Sequence, residues 1–153
     1  MGLLAVLLTL HIVGVVIWVG GMFIAYFCLR PVLADLLEPP ERLRIWRALF
    51  ARFFFWVWWA VALIAGSGLA MLIRHGLFNA PMAWHLMTAS GLVMIAFFIF
   101  VAKRLFPALE RAVDAEDWSH ASFAVTQIRQ VVGINLALGL FTIAVATAGN
   151  FMW

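Results

Sequence analysis

One imidazole stands in an otherwise apolar run. Residues 8 to 21 read LTLHIVGVVIWVGG, and His11 is the only ring nitrogen pair among them. A second stretch, APMAWHLMTASGLVM at 80–94, carries His85, Met87 and Met94. Two imidazoles, or an imidazole and a thioether, held on separate helices at one level can ligate copper or haem iron. On a helix, residues 11, 15, 18, 22 and 25 share a stripe: His11, Val15, Trp18, Met22 and Ala25, flanked by Gly14 and Gly21. The glycines allow close helix approach or room for a flat ligand. The same periodicity groups His85 with Thr88, Ala89 and Leu92, and Met87 with Ser90, Gly91 and Met94. About 200° of helical rotation separates residues 85 and 87. Only one of them can squarely face inward, and both stripes hold small residues, so the choice stays open.

Each of these residues also has a plainer reading. His11 can bond a hydroxyl or carbonyl of a neighbouring helix, and any methionine can fill gaps in apolar packing. His75 and His120 read as solvated loop residues and Cys28 as a buried small hydrophobe. Asn135, followed by Gly139, reads as an interhelical hydrogen bond at a close crossing. No Ser-His-Asp set, phosphate loop or intramembrane carboxylate is visible, so hydrolase and proton-antiport chemistry find no support.

The elements that must position these groups follow from composition. The chain has 153 residues, 67% hydrophobic and 11% charged, with a mean hydropathy of +1.08. A soluble domain carries roughly 25% charged residues. Four segments reach the ~20 apolar residues needed to cross ~30 Å of hydrocarbon: Leu3–Leu29, Phe53–Ile73, Met82–Ala102 and Val131–Phe151. Without water to satisfy the backbone, each must be helical. The expected fold is an all-α, antiparallel four-helix transmembrane bundle, one domain over 1–153. The single cysteine, Cys28, excludes an internal disulfide and a cysteine-cluster metal site.

Charge sets the expected orientation. All basic residues but Arg74, and all 7 acids, fall between spans 1 and 2 or between spans 3 and 4. The positive-inside rule then places both termini outside, which in a bacterium is the periplasm. The net charge of +3 is topological rather than a nucleic-acid footprint. The stretch EPPERLRIWRALFARFF has Leu43, Trp46, Phe50 and Phe53 at helical spacing, an interfacial helix leading into span 2. Asp114 is the expected N-cap of the helix that becomes span 4. Trp56, Trp58, Trp59, Trp84 and Trp153 suit the headgroup belts, whereas Trp18 falls in mid-span. The N-terminal run lacks a basic n-region and reads as a retained helix.

LHIVGVVIWVGGMFIAYFCLRP, RLRIWRALFARFFFWVW, WHLMTASGLVM and IRQVVGINLALGL together resemble the CopD-type domain, named for copper resistance protein D. The likeness covers almost the whole chain; the W-x-G-G after a helical histidine, with the terminal Arg-Pro, is its most specific part. The domain is distantly similar to HemJ-type protoporphyrinogen oxidases, which bind haem b and carry H-x-K in span 3. Here Met87 takes the lysine's place. The resemblance implies an inner-membrane protein handling copper, by uptake or delivery, with His11, His85, Met87, Met22 and Met94 as metal ligands. The alternative it implies is a haem b redox protein, an oxidoreductase, with His11 and either His85 or Met87 as axial ligands beside Trp18. A structural subunit with no cofactor is the third reading. The partners implied are the bilayer and a second copy or a periplasmic metal or electron carrier, with no nucleic acid.

Overall fold

The computed structural model describes residues 2–76 and 79–152, with side chains as far as residue 148. It contains four long helices: α1 (Gly2–Leu36), α2 (Pro39–His75), α3 (Met82–Asp114) and α4 (Trp118–Met152). All four are long and apolar enough to cross a membrane, and no strand occurs among the described residues. The short links between them turn the chain up and down, giving the expected antiparallel bundle. Trp153 lies outside the described residues.

The helices run further than the apolar spans. Span 1 was expected to stop at Leu29, before Pro31; instead α1 continues to Leu36 through π-helical turns at Val16–Gly20 and Ile24–Leu29. The second turn has a cause. A proline ring meets the carbonyl four residues back, and an extra residue in the turn before Pro31 relieves that clash. The same device appears at Val101–Leu105, just ahead of Pro107, so α3 also continues, to Asp114. Span 2 and its interfacial helix form one 37-residue helix, Pro39–His75, with the two prolines in its first turn.

Asp114 is therefore the last residue of α3, not the N-cap expected of it. The cap of α4 is Asp117, whose Oδ1 accepts the backbone N–H of His120 at 3.0 Å. Chain reversal between α3 and α4 puts Glu116 at φ 53°, a left-handed residue. Two ion pairs brace this corner against α2: Arg47 to Asp114 at 2.6 Å and Arg44 to Glu116 at 3.2 Å.

Packing is densest from the middle of the bundle to its charged end. Trp46, Phe50 and Phe54 stack in series along α2, with centroids 5.0 and 5.4 Å apart. Leu109 of α3 and Ala121 and Ile128 of α4 are fully buried beside them. Towards the other end, α1 packs chiefly on α2, and α3 on α4. Trp56, Trp58 and Trp59 are exposed on the outside of the bundle, as belt residues should be. Cys28 is exposed too, which corrects its reading as a buried residue.

Candidate functional site

His11 is held against α2. Its Nδ1 lies 3.1 Å from Ser67 Oγ, and Ser67 Oγ donates to the Leu63 carbonyl at 2.5 Å. A hydroxyl has one proton. With that proton on Leu63, Ser67 accepts from His11, so the ring carries its N–H on Nδ1. In the neutral imidazole the lone pair is left on Nε2. A histidine oriented through one nitrogen, with the other free to donate, is the usual arrangement of a metal ligand.

Glycine makes the approach possible. One turn from His11, a Cβ on Gly14 would lie 2.8 Å from Ile64 Cγ1 and 2.9 Å from the Ala60 carbonyl oxygen. Beside Ser67, a Cβ on Gly68 would sit 3.3 Å from His11 Cε1. Gly21 seats the Phe53 ring in the same way. Both flanking glycines of span 1 thus serve helix approach to α2.

The stripe that begins at His11 does face inward. Trp18 is 3% exposed and Met22 2%, and Trp18 meets the edge of Phe98 at 6.0 Å. On α3 the open question resolves in favour of the methionine stripe. Ser90 Oγ bonds Thr142 Oγ1 of α4 at 2.8 Å, Met94 is buried and Met87 half-buried. His85, Thr88, Ala89 and Leu92 are all exposed. The His11 ring is thus bonded to α2, and His85 lies on the exposed stripe of α3. His75 stacks obliquely on Trp84, 5.0 Å between centroids, and is not a free loop residue.

Met94 stands level with Val19, since a Cβ on Gly139 would meet both, and so about one helical turn from Met22. Asn135 of α4 adjoins this region: its Nδ2 donates to the Met94 carbonyl at 3.4 Å, a long bond. Its Oδ1 is buried without a partner. A cavity of about 20 Å³ adjoins it, lined by Trp18, Met22, Val57 and Phe98 among others. That is room for about one water, and far too little for a porphyrin. Gly139 completes the crossing, since a Cβ there would come within 3.1 Å of the Met94 methyl and 3.0 Å of Val19. Asn135 and Gly139 thus make the interhelical bond and close crossing that their spacing suggested.

Among the described residues, no three His, Cys, Asp or Glu side chains gather into a metal-holding group. Ser67 and Gly68 were missed in the sequence. Their signal was AGSGLA, a cluster of small residues with a hydroxyl inside an apolar helix.

The family model for copper resistance protein D matches residues 47–148, from the first third of α2 to the end of the described side chains of α4. Helix α1, with His11, Trp18 and Met22, precedes the matched stretch. No curated protein and no solved structure matches the chain.

Proposed function

Because the chain belongs to the copper resistance protein D family, we propose that it handles copper at the membrane, with His11 as the first ligand inside the bundle and copper as cargo. The observation that carries the reading is the hydrogen-bond series His11–Ser67–Leu63, which fixes the imidazole on α2 and leaves Nε2 as a donor. Met22 and Met94 supply thioethers deeper in the bundle, and thioethers favour Cu(I) over harder ions. Met87 stands on the same inward stripe as Met94, between it and the start of α3. His85 is exposed, and its part in the proposal is to meet the ion before it enters the bundle. The charge distribution supports the orientation with both termini outside a bacterial plasma membrane, where the ion would pass to or from a periplasmic carrier or a second copy of the chain.

The arrangement gives the haem alternative little support. Haem needs a flat cavity faced by an inward ligand, and the cavity beside Trp18 holds about 20 Å³. Purified protein titrated with Cu(I) tests the proposal. Stoichiometric binding that falls in His11→Ala and in Met22→Leu/Met94→Leu is the expected result. Unchanged binding in both would refute it. A Soret band that disappears in His11→Ala would replace copper with haem.

A further inference from the structure

The charged end of the bundle holds a cleft that copper handling does not use. Its volume is about 550 Å³, and its charged lining is Arg47 from α2 with Lys103, Arg104, Glu110, Arg111 and Asp114 from α3. Four cations there face two carboxylates. Asp114 is already engaged, its two oxygens receiving Arg47 Nη1 and Nη2 at 2.6 and 3.3 Å. Arg111 is tethered through Nε to the Pro107 carbonyl at 3.2 Å, by the edge opposite its two terminal amines. The cleft is left with a surplus of positive charge held in a braced frame.

Lys103 and Arg104, in the π-helical turn Val101–Leu105, both line the cleft, as do the adjacent Glu110 and Arg111 further along α3. The Lys103 ammonium also stands 5.8 Å from the centre of the Trp58 ring. The cleft therefore opens at the depth where apolar surface begins. Just beyond it, Trp58 of α2 and Ile99 and Phe100 of α3 are 41%, 42% and 47% exposed. A cationic seat continuous with an exposed apolar strip has the two-part character of a phospholipid, phosphate on one side and acyl chains on the other. A free phosphate would need the seat and not the strip.

We propose that this cleft seats the headgroup of an anionic phospholipid, with Lys103 and Arg104 on the phosphate and the acyl chains along Trp58 and Phe100. The site is independent of the copper reading. The test is native mass spectrometry of the full chain in detergent, titrated with phosphatidylglycerol or with phosphatidylcholine of the same chain length. Phosphatidylglycerol is expected to bind about 10-fold more tightly. Lys103→Gln/Arg104→Gln abolishes that preference, while Lys103→Arg/Arg104→Lys and Arg42→Gln, a cation outside the cleft, retain it. Equal binding of the two lipids, a preference that survives the double Gln change, or an equal loss in Arg42→Gln would overturn the proposal. Inorganic phosphate, titrated separately, is expected not to displace the lipid at millimolar concentration; displacement would make this a soluble-anion site instead. Should the double Gln variant not fold, wild type decides: its preference must weaken as salt rises, and a salt-independent preference overturns the proposal.

Discussion

Replacing Ser67 by Ala removes one oxygen and tests whether His11 is positioned or merely accommodated. In the native protein that oxygen accepts Nδ1–H at 3.1 Å and donates to Leu63 at 2.5 Å. Without it the imidazole loses its hydrogen-bond partner on α2, and its tautomer is no longer enforced. Losing the partner that orients a ligating histidine typically weakens metal binding 10- to 100-fold, or about 1.4–2.7 kcal/mol. The fold should lose much less, since interhelical hydrogen bonds in membranes average only about 0.6 kcal/mol. The assay is competition for Cu(I) against a chromophoric chelator, with unfolding of the same variants followed in parallel. Ser67→Thr restores a hydroxyl that can reach the same carbonyl in a helix, and should restore most of the affinity. Two results would refute the reasoning: affinity unchanged in Ser67→Ala while His11→Ala loses it, or an affinity loss no larger than the loss of stability.

Gly14→Val should separate α1 from α2, because even a Cβ there lies 2.9 Å from the Ala60 carbonyl oxygen; unfolding measurements should show a loss of about 1–3 kcal/mol, and copper affinity should drop with it. Asn135→Leu should leave stability unchanged or raise it, because Oδ1 is buried unpaired and such a group costs about 1–3 kcal/mol, which outweighs the long Nδ2 bond; a large destabilisation would show that Oδ1 has a partner. Asp117 is held below the ordinary carboxylate value by the His120 backbone N–H and then by the His120 ring. A lowered value means that the cap stabilises α4 above the ordinary carboxylate range and loses this as pH falls through the lowered value, so the difference in thermal stability between wild type and Asp117→Ala should be present at neutral pH and vanish in strong acid.

Sequence periodicity was enough for the architecture, because four apolar segments in a membrane have no alternative to helices. It was also enough for the inward stripe from His11 through Trp18 to Met22, since Gly14 and Gly21 mark the close-approach face. It failed where the ladder departs from regular geometry. Nothing in IAYFCLRP or VAKRLFP announces an inserted π residue except the proline that follows, so α1 and α3 run beyond their expected ends. The choice between His85 and Met87 was illegible because both stripes carry small residues; the Ser90–Thr142 bond, a tertiary fact, decides it. The partner of His11 was hidden for the same reason. A serine in AGSGLA looks like any small interfacial residue until α2 is laid against α1.

X-ray absorption at the copper edge of the Cu(I)-loaded protein tests the central claim most directly, because it reads the ligands themselves. His11 and Met22 lie 11 residues, about 16 Å of helix rise, apart, so the account predicts contributions from two separate sites: nitrogen that disappears in His11→Ala and sulfur that disappears in Met22→Leu/Met94→Leu. A shell unchanged by either variant, or one without sulfur, would contradict it.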